Sequence, residues 1–591
     1  MAMKIPKSGY NRFMKEGAQH FKGTDEAVQR NIEACTELAS QIRSAYGPNG
    51  MNKMVINHIE KLFVTNDAAT ILKELEIQHP AARIIIMATE MQEKQIGDNT
   101  NTVVILAAAL LEHAANLIHM GMTPQEVAAG YEQAAEKALE ILPTLVVKEA
   151  TDMKNIEEVR QYIRSAITSK QYDNEDIIAD LVAKACVTTC PANSFNFNVD
   201  NIRICKIIGS GVHTSTVMNG MVFKRGAEGE IREARDARIA VYTCPFDLTQ
   251  TETKGTVLIE NADELRNFSK GEEAEVEEQV KAIADNARSS ILAKFWLMNF
   301  SKGEEAEVEE QQVKAIADNG VKVVVAAGKF GDMYLHFLNK YKIMAVRLTS
   351  KFDLRRLCRT VGAQPQARIC APAVNLLGHC DSVAVQEIGD ENVVVFDKKS
   401  ASNLNFLKFS ETGKVATIII RGSSQSRIDD VERAVDDAVN TYKALTKDGK
   451  LLAGAGAVEI ELAKEIESFG AKAPGLEQYA IKKFAHALET LPKAIAENAG
   501  MPTTETLTKL YAEHVAGKKN AGIDIWKRET MDAVVNNIFD LYAGKRLAIK
   551  LATDAASTIL KVDQIIMSKQ ATGGPKPRGP KAQDEDDDGM A

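Results

Sequence analysis

Gly97-Asp98-Asn99-Thr100-Asn101-Thr102 runs straight into Val103-Val104-Ile105-Leu106-Ala107-Ala108-Ala109-Leu110-Leu111, a turn of glycine, acid and small polar residues opening an apolar helix. A loop entering a helix in this way aims free N–H groups at one point, and the helix dipole favours an anion there. Asp98 beside that point makes sense if Mg²⁺ bridges it to phosphate oxygens. The same residues also read as a plain Asp cap whose Thr and Asn neighbours satisfy the first turn, and on spacing alone this is the commoner case. The chain contains no G-x-x-x-x-G-K-[ST] loop, so a Walker-type phosphate site is excluded.

Three further clusters share this texture. Tyr46-Gly47-Pro48-Asn49-Gly50-Met51 is a tight turn after a helix that starts at Thr24-Asp25-Glu26 and keeps Val28, Ile32, Cys35, Leu38, Ala39 and Ile42 on one face. Thr65-Asn66-Asp67-Ala68-Ala69-Thr70 puts an acid in a strand-to-helix turn, and Gly454-Ala455-Gly456 precedes a helix at Glu459. A fifth candidate is Asp437, beside the apolar face Val431, Ala434, Val435 and Ala438 of a helix rich in acids. It reads either as a cleft acid that orients water or as part of a solvated charge run.

Working outward, residues 69–75, 81–92, 102–120 and 124–142 continue as helices, with short strands at 54–56 and 62–65. From about residue 200, strand-like runs (202–208, 238–241, 256–259, 321–326, 343–348, 382–386, 393–396, 415–420) alternate with helical pieces such as 332–340, an α/β signature. From Asp429 helices dominate again, with a last strand pair expected near Ala548 and Ile565. Residues 571–591, rich in Gly, Pro and acid, read as disordered. A helical block at each end around an α/β centre suggests a discontinuous domain with the middle inserted.

At 591 residues the chain needs several cores. A formal charge of −9 with no basic stripe argues against nucleic acid, and the start, MAMKIPKSGYNRF, has no apolar signal region. The apolar run from Val103 stops at Glu112, short of a membrane span, so a cytosolic protein is expected. Eight scattered cysteines form no CxxC pair, and Cys186 with Cys190 reads as two buried thiols sharing a helix face. Residues 267–286 (NFSKGEEAEVEEQVKAIADN) recur at 299–319 with one added glutamine. Diverged structural repeats share a pattern rather than near-identity, so this reads as a recent duplication or as two alternative versions of one segment. Only the second copy runs directly into the next strand.

Taken together, AYGPNGMNKMVINH, KLFVTNDAATILKELEIQHPAA, HCDSV, VERAVDDAVNTYKAL, PGLEQYAIKKFA and LAIKLAT…VDQIIM resemble the group II chaperonins of the TCP-1/cpn60 family over nearly the whole chain. The resemblance implies a multidomain α+β chaperonin fold. It comprises a helical equatorial ATP-binding domain (1–146 and 448–570), a small intermediate domain (147–215 and 378–447), and an α/β apical domain with a helical lid protrusion (216–377) that holds the near-duplicate. It implies Tyr46, Gly47 and Pro48 at the nucleotide, Asp98 as the Mg²⁺ ligand, and Asn99, Thr100, Asn101 and Thr102 at the phosphates. Thr168, Ser169 and Lys170 match a segment that senses the γ-phosphate. Asp437 matches the acid that positions water, and Asp67 a second acid near the phosphates. Gly454, Ala455 and Gly456 lie by the nucleotide, Asp540 at the ribose, and Lys545 close by.

The family pattern GDGT departs here to Gly97-Asp98-Asn99-Thr100, and its triple glycine to Gly454-Ala455-Gly456. ATP binding is expected to survive because asparagine tolerates positive φ and every acid is retained, with hydrolysis slowed. The implied function is that of a subunit in a hetero-oligomeric double ring, using ATP and Mg²⁺ to enclose non-native polypeptides, actin and tubulin among them, with no nucleic acid and no membrane as partner. A weakly hydrolysing structural subunit is the alternative, and an unrelated ATP-using α/β enzyme a remote one.

Overall fold

The computed structural model describes residues 19–22, 24–171, 173–191, 193–246, 305–389, 391–397 and 415–567. They fall into two compact units, Met1–Ala179 with Arg433–Ala591, and Asp180–Glu432.

The first unit is a helical block around Thr100–His119. That helix is long and apolar enough to cross a membrane, yet Leu106, Leu110 and Ala114 are fully buried, and Glu112, Asn116 and His119 leave one narrow exposed face. Thr24–Arg43, Pro80–Gln95, Pro124–Ile141, Ala457–Gly470, Glu477–Leu488 and Tyr542–Leu560 supply most of the rest of one core, including Ile85, Tyr131, Phe484 and Ile549. Small residues permit the close approaches: a Cβ on Gly130 would lie 2.5 Å from the Ala480 Cβ. Thr123 and Glu126 form a reciprocal capping box that starts Pro124–Ile141.

Two small sheets position the loops. Lys450–Ala453 lies between Phe539–Leu541 and Val146–Glu149, pairing Leu452 with Asp540 and so bringing Gly454 beside it. Ala521–Asp524 and Glu529–Asp532 make a hairpin that the sequence reading did not find. At the ends of the unit, Gln19–Lys22 pairs antiparallel with Gln564–Met567.

The second unit holds an eight-stranded mixed sheet, in the order Ile202–Ile208, Ala416–Gly422, Thr216–Phe223, Glu391–Asp397, Gly378–Ile388, Glu233–Tyr242, Val321–Ala326 and Met344–Arg347. The near-continuous apolar runs of the parallel strands Val321–Ala326 and Met344–Arg347 fit burial on both faces. The second near-copy supplies the helix Glu305–Asp318, which passes through Gly320 (φ 73°) into that sheet. The first copy, the strand expected at 256–259 and the tail at 571–591 lie outside the described residues.

Two expectations need correction. Ala548 is in the helix Tyr542–Leu560, its Ala548, Ile549, Ala552 and Ala556 stripe being a helical rather than an alternating pattern. Ile565 alone belongs to a strand, whose partner is the N-terminal Gln19–Lys22. The strand Thr216–Phe223 was missed because Asn219-Gly220 reads as a turn. In place, Gly220 adopts φ 113°, and a Cβ there would sit 1.9 Å from the Phe396 carbonyl oxygen. All eight cysteines are free thiols, Cys186 and Cys190 both buried, and burial pushes the Cys35 thiol up to about 12.

Candidate nucleotide site

Four loops drawn from both ends of the chain close on one cavity of about 320 Å³, within the first unit. Its wall includes Tyr46, Gly47, Pro48, Asp98, Asn99, Thr100, Asn101, Thr102, Thr168, Ser169, Lys170, Ala455, Gly456, Asp540 and Lys545. Gly454, Asp67 and Asp437 stand behind that wall, the last two reached through Lys170.

Asn99 takes the left-handed conformation (φ 65°) just ahead of Thr100–His119, and its N–H donates to Asp98 Oδ1 at 2.6 Å. The first-turn amides behind it have no acceptor within the helix. Asn101 has a structural duty: its Oδ1 accepts from the Ala68 N–H (2.9 Å) while its Nδ2 donates to the carbonyls of Asn66 (3.2 Å) and Ala45 (3.4 Å). One side chain thus ties the Tyr46 turn, the Asp67 turn and the helix start together. Asn498 Nδ2 pins the Tyr46 turn from the other side, donating to the Tyr46 carbonyl at 2.7 Å.

Asp67 caps the helix Ala68–Glu74. It accepts from the Thr70 N–H (3.0 Å) and Oγ1 (2.7 Å), from Thr100 Oγ1 (3.2 Å) and from Lys170 Nζ (3.1 Å). Burial works to raise its pKa, but Lys170 and the Thr70 bonds prevail and hold it at about 2. Lys170 also contacts Asp437, which lies buried on Gln425–Asp448. Burial opposes the charge on Lys170, yet Asp437 and Asp67 hold its pKa up. Burial pushes Asp437 well above the usual carboxylate range despite Lys170, and Asp98 is raised for the same reason. Three carboxylates therefore share one ammonium at this end. On the opposite side Lys545, buried, contacts Glu459 and Asp540 (3.1 Å), beside Tyr46.

The Gly454-Ala455-Gly456 turn requires left-handed backbone at Ala455 (φ 58°) and at Gly456 (φ 84°), which caps Ala457–Gly470. A residue with a Cβ pays roughly 1–2 kcal/mol for that conformation, so Ala455 is held by its surroundings. The Ile523 N–H donates to its carbonyl at 3.0 Å.

Several lining residues had no sequence signal. Arg164, which bonds Asp176 (2.9 Å) and Glu175 (3.4 Å), and Glu175 itself are ordinary surface-helix types. Ile523, Asp524, Ile525, Trp526 and Met531 come from the missed hairpin, and Ile495 and Ile538 complete an apolar end. The alternation in Gly522-Ile523-Asp524-Ile525 was the available clue.

One cavity thus joins a helix start open to anions, a set of acids around one lysine and an apolar end, an arrangement that suits a nucleotide. The profile of the TCP-1/cpn60 chaperonin family matches residues 38–295 and 296–570, and the chain belongs to that family. The two matched pieces meet inside the 287–298 spacer between the near-copies. The chain is 93% identical over 591 residues to T-complex protein 1 subunit theta of Caenorhabditis elegans, covering all of both chains. Identity to the proteins of the same name is 88% in Caenorhabditis briggsae and 54% in Homo sapiens, again over the full length of each. Membership of this family removes the unrelated-enzyme reading.

Proposed function

We propose that the chain is a theta-type subunit of a hetero-oligomeric double-ring chaperonin in the cytosol, which binds and hydrolyses Mg²⁺-ATP in this cavity to enclose non-native polypeptides such as actin and tubulin. The convergence of the four loops on one cavity, with Asp98, Asp67 and Asp437 around Lys170, carries the nucleotide part. Full-length identity to proteins named as subunit theta supports the ring-subunit part. The equatorial, intermediate and apical division set out above belongs to the same proposal.

Three carboxylates with one ammonium repel a bare polyphosphate but accept one that carries a divalent cation. Among the described residues no three His, Cys, Asp or Glu side chains converge as a metal cage. Mg²⁺ would therefore rest on Asp98 and phosphate oxygens, as hard cations at phosphoryl-transfer sites do. Bound there, it supplies charge neutralisation to the transferred phosphoryl group. The chain's own residues do the rest. The amides of Thr100, Asn101 and Thr102 face the phosphates, Asp540 takes the ribose, and Ile523, Ile525 and Ile538 receive the base. Lys170 turns from its carboxylates to the γ-phosphate, leaving Asp437 free to orient the attacking water and accept its proton.

A second reading, slow turnover in a mainly structural subunit, draws on Ala455, whose methyl stands in a turn that otherwise suits glycine. Hydrolysis measured in an assembled ring where this is the sole active subunit tests both. Asp437→Ala should bind ATP without turning it over, and undiminished hydrolysis sinks the assignment. On a sizing column the native protein should run as a very large ring.

A further inference from the structure

We infer that His514 is a positioning residue for the nucleotide, fixing through two hydrogen bonds the hairpin that walls the apolar end of the cavity; the inference rests on the nucleotide reading above. His514, near the end of Thr503–Val515, is fully buried. Its Nδ1 lies 2.8 Å from Glu461 Oε2 and its Nε2 2.9 Å from the Ala521 carbonyl oxygen.

A carbonyl oxygen only accepts, so Nε2 carries a hydrogen. The short contact between Nδ1 and a carboxylate needs a second hydrogen, on the ring or on Glu461. Both ring nitrogens are thus engaged. Lys464 steadies the pair, donating to the His514 carbonyl at 3.0 Å and lying 3.3 Å from Glu461 Oε1.

What this unit grips is functional. Ala521 opens the hairpin strand whose Ile523 and Asp524 line the cavity, and the Ile523 N–H bonds the Ala455 carbonyl at 3.0 Å. Gly522 leaves no slack, since a Cβ on it would lie 2.9 Å from the Ala455 Cβ. Glu461 stands on the helix that begins after Gly456. His514 therefore joins the two flanks of the proposed base subsite, and a shift at Ala521 passes directly to Ala455.

The test compares two variants of the full-length protein by ADP calorimetry and by amide hydrogen exchange. Glutamine at 514 keeps much of the volume but one amide nitrogen cannot serve both acceptors. His514→Gln should weaken ADP binding roughly five- to tenfold, the worth of about one buried hydrogen bond, and should speed exchange at the Ile523 amide. Glu461→Gln permits both bonds with a neutral imidazole, because its amide can donate to Nδ1, and should stay within roughly twofold of the unaltered protein. If His514→Gln does not fold, Lys464→Met should weaken ADP binding roughly two- to threefold through the same carbonyl. Unchanged ADP affinity in the folded His514 or Lys464 variant, or an equal loss in Glu461→Gln and His514→Gln, overturns the inference. If the unaltered protein binds no ADP, the nucleotide reading falls instead.

Discussion

Lys545, buried, and Lys170, nearly so, are ammonium groups on the wall of one cavity, each with two carboxylates against it. Their surroundings differ. Lys545 sits in the first turn of Tyr542–Leu560, and its partners stand on a neighbouring helix and strand. Glu459 Oε2 has no hydrogen-bond partner, so Lys545 is what holds that carboxylate. Lys170 lies just past the end of Ile156–Thr168, and without it Asp67 keeps three bonds from Thr70 and Thr100, while Asp437 Oδ2, like Glu459 Oε2, has no hydrogen-bond partner. The same ionic composition makes a rivet in one place and, for Asp67 alone, a releasable latch in the other. What decides is whether the acids left behind have other donors.

The largest expected effect sharpens the latch. Asp437→Ala should lower single-turnover hydrolysis by about 10²–10⁴-fold while ATP affinity changes only a few-fold, separating the acid's role from binding. Next come the lysines themselves. Lys545→Met should cost about 3–5 kcal/mol in denaturant unfolding, because it strands the buried Glu459 carboxylate. Lys170→Met should cost less, about 1–3 kcal/mol, with its greater effect on turnover. Equal costs would break the comparison.

Acid provides a smaller probe. Asp67 is held at about 2 in the folded protein, below the ordinary 3.8. Its contribution to stability is therefore complete above the unfolded value and is lost as pH falls from about 4 through 2. Unfolding curves across that window should show the unaltered protein losing about 2 kcal/mol more than Asp67→Asn. The smallest effect belongs to the glycine turn. Ala455→Gly relieves the left-handed strain but adds unfolded-state freedom, so stability should move by less than about 1 kcal/mol. Turnover should rise by roughly two- to threefold if the methyl slows the slow-turnover subunit.

The helical frame was legible because Val28, Ile32, Leu38 and Ile42, or Leu106, Leu110 and Ala114, recur at helical spacing and end at glycine or proline. The loops were legible as separate turns, and Asn99 does adopt the left-handed backbone expected of it. That they meet was not readable from spacing, since Asp67, Lys170 and Asp437 are joined only by tertiary packing. The apolar end stayed hidden for another reason. The hairpin strands Ala521–Asp524 and Glu529–Asp532 have four residues each, with a charged turn between them, too short for alternation to stand out. Arg164 and Glu175 look like any solvated ion pair until their helices are placed.

The pairing of Gln19–Lys22 with Gln564–Met567 has a consequence for biosynthesis. The helices that bury Leu106 and Leu110 leave the ribosome early, but Phe484 and Ile549, which complete their core, come near the end of the chain. At about 5–20 residues per second, translation from Ile141 to Phe484 takes roughly 17–70 s. Throughout that interval the nascent N-terminal block carries an uncovered apolar face, while Asp180–Glu432 emerges as a compact unit of its own. A newly made copy of this chain is itself an aggregation-prone polypeptide in need of shelter.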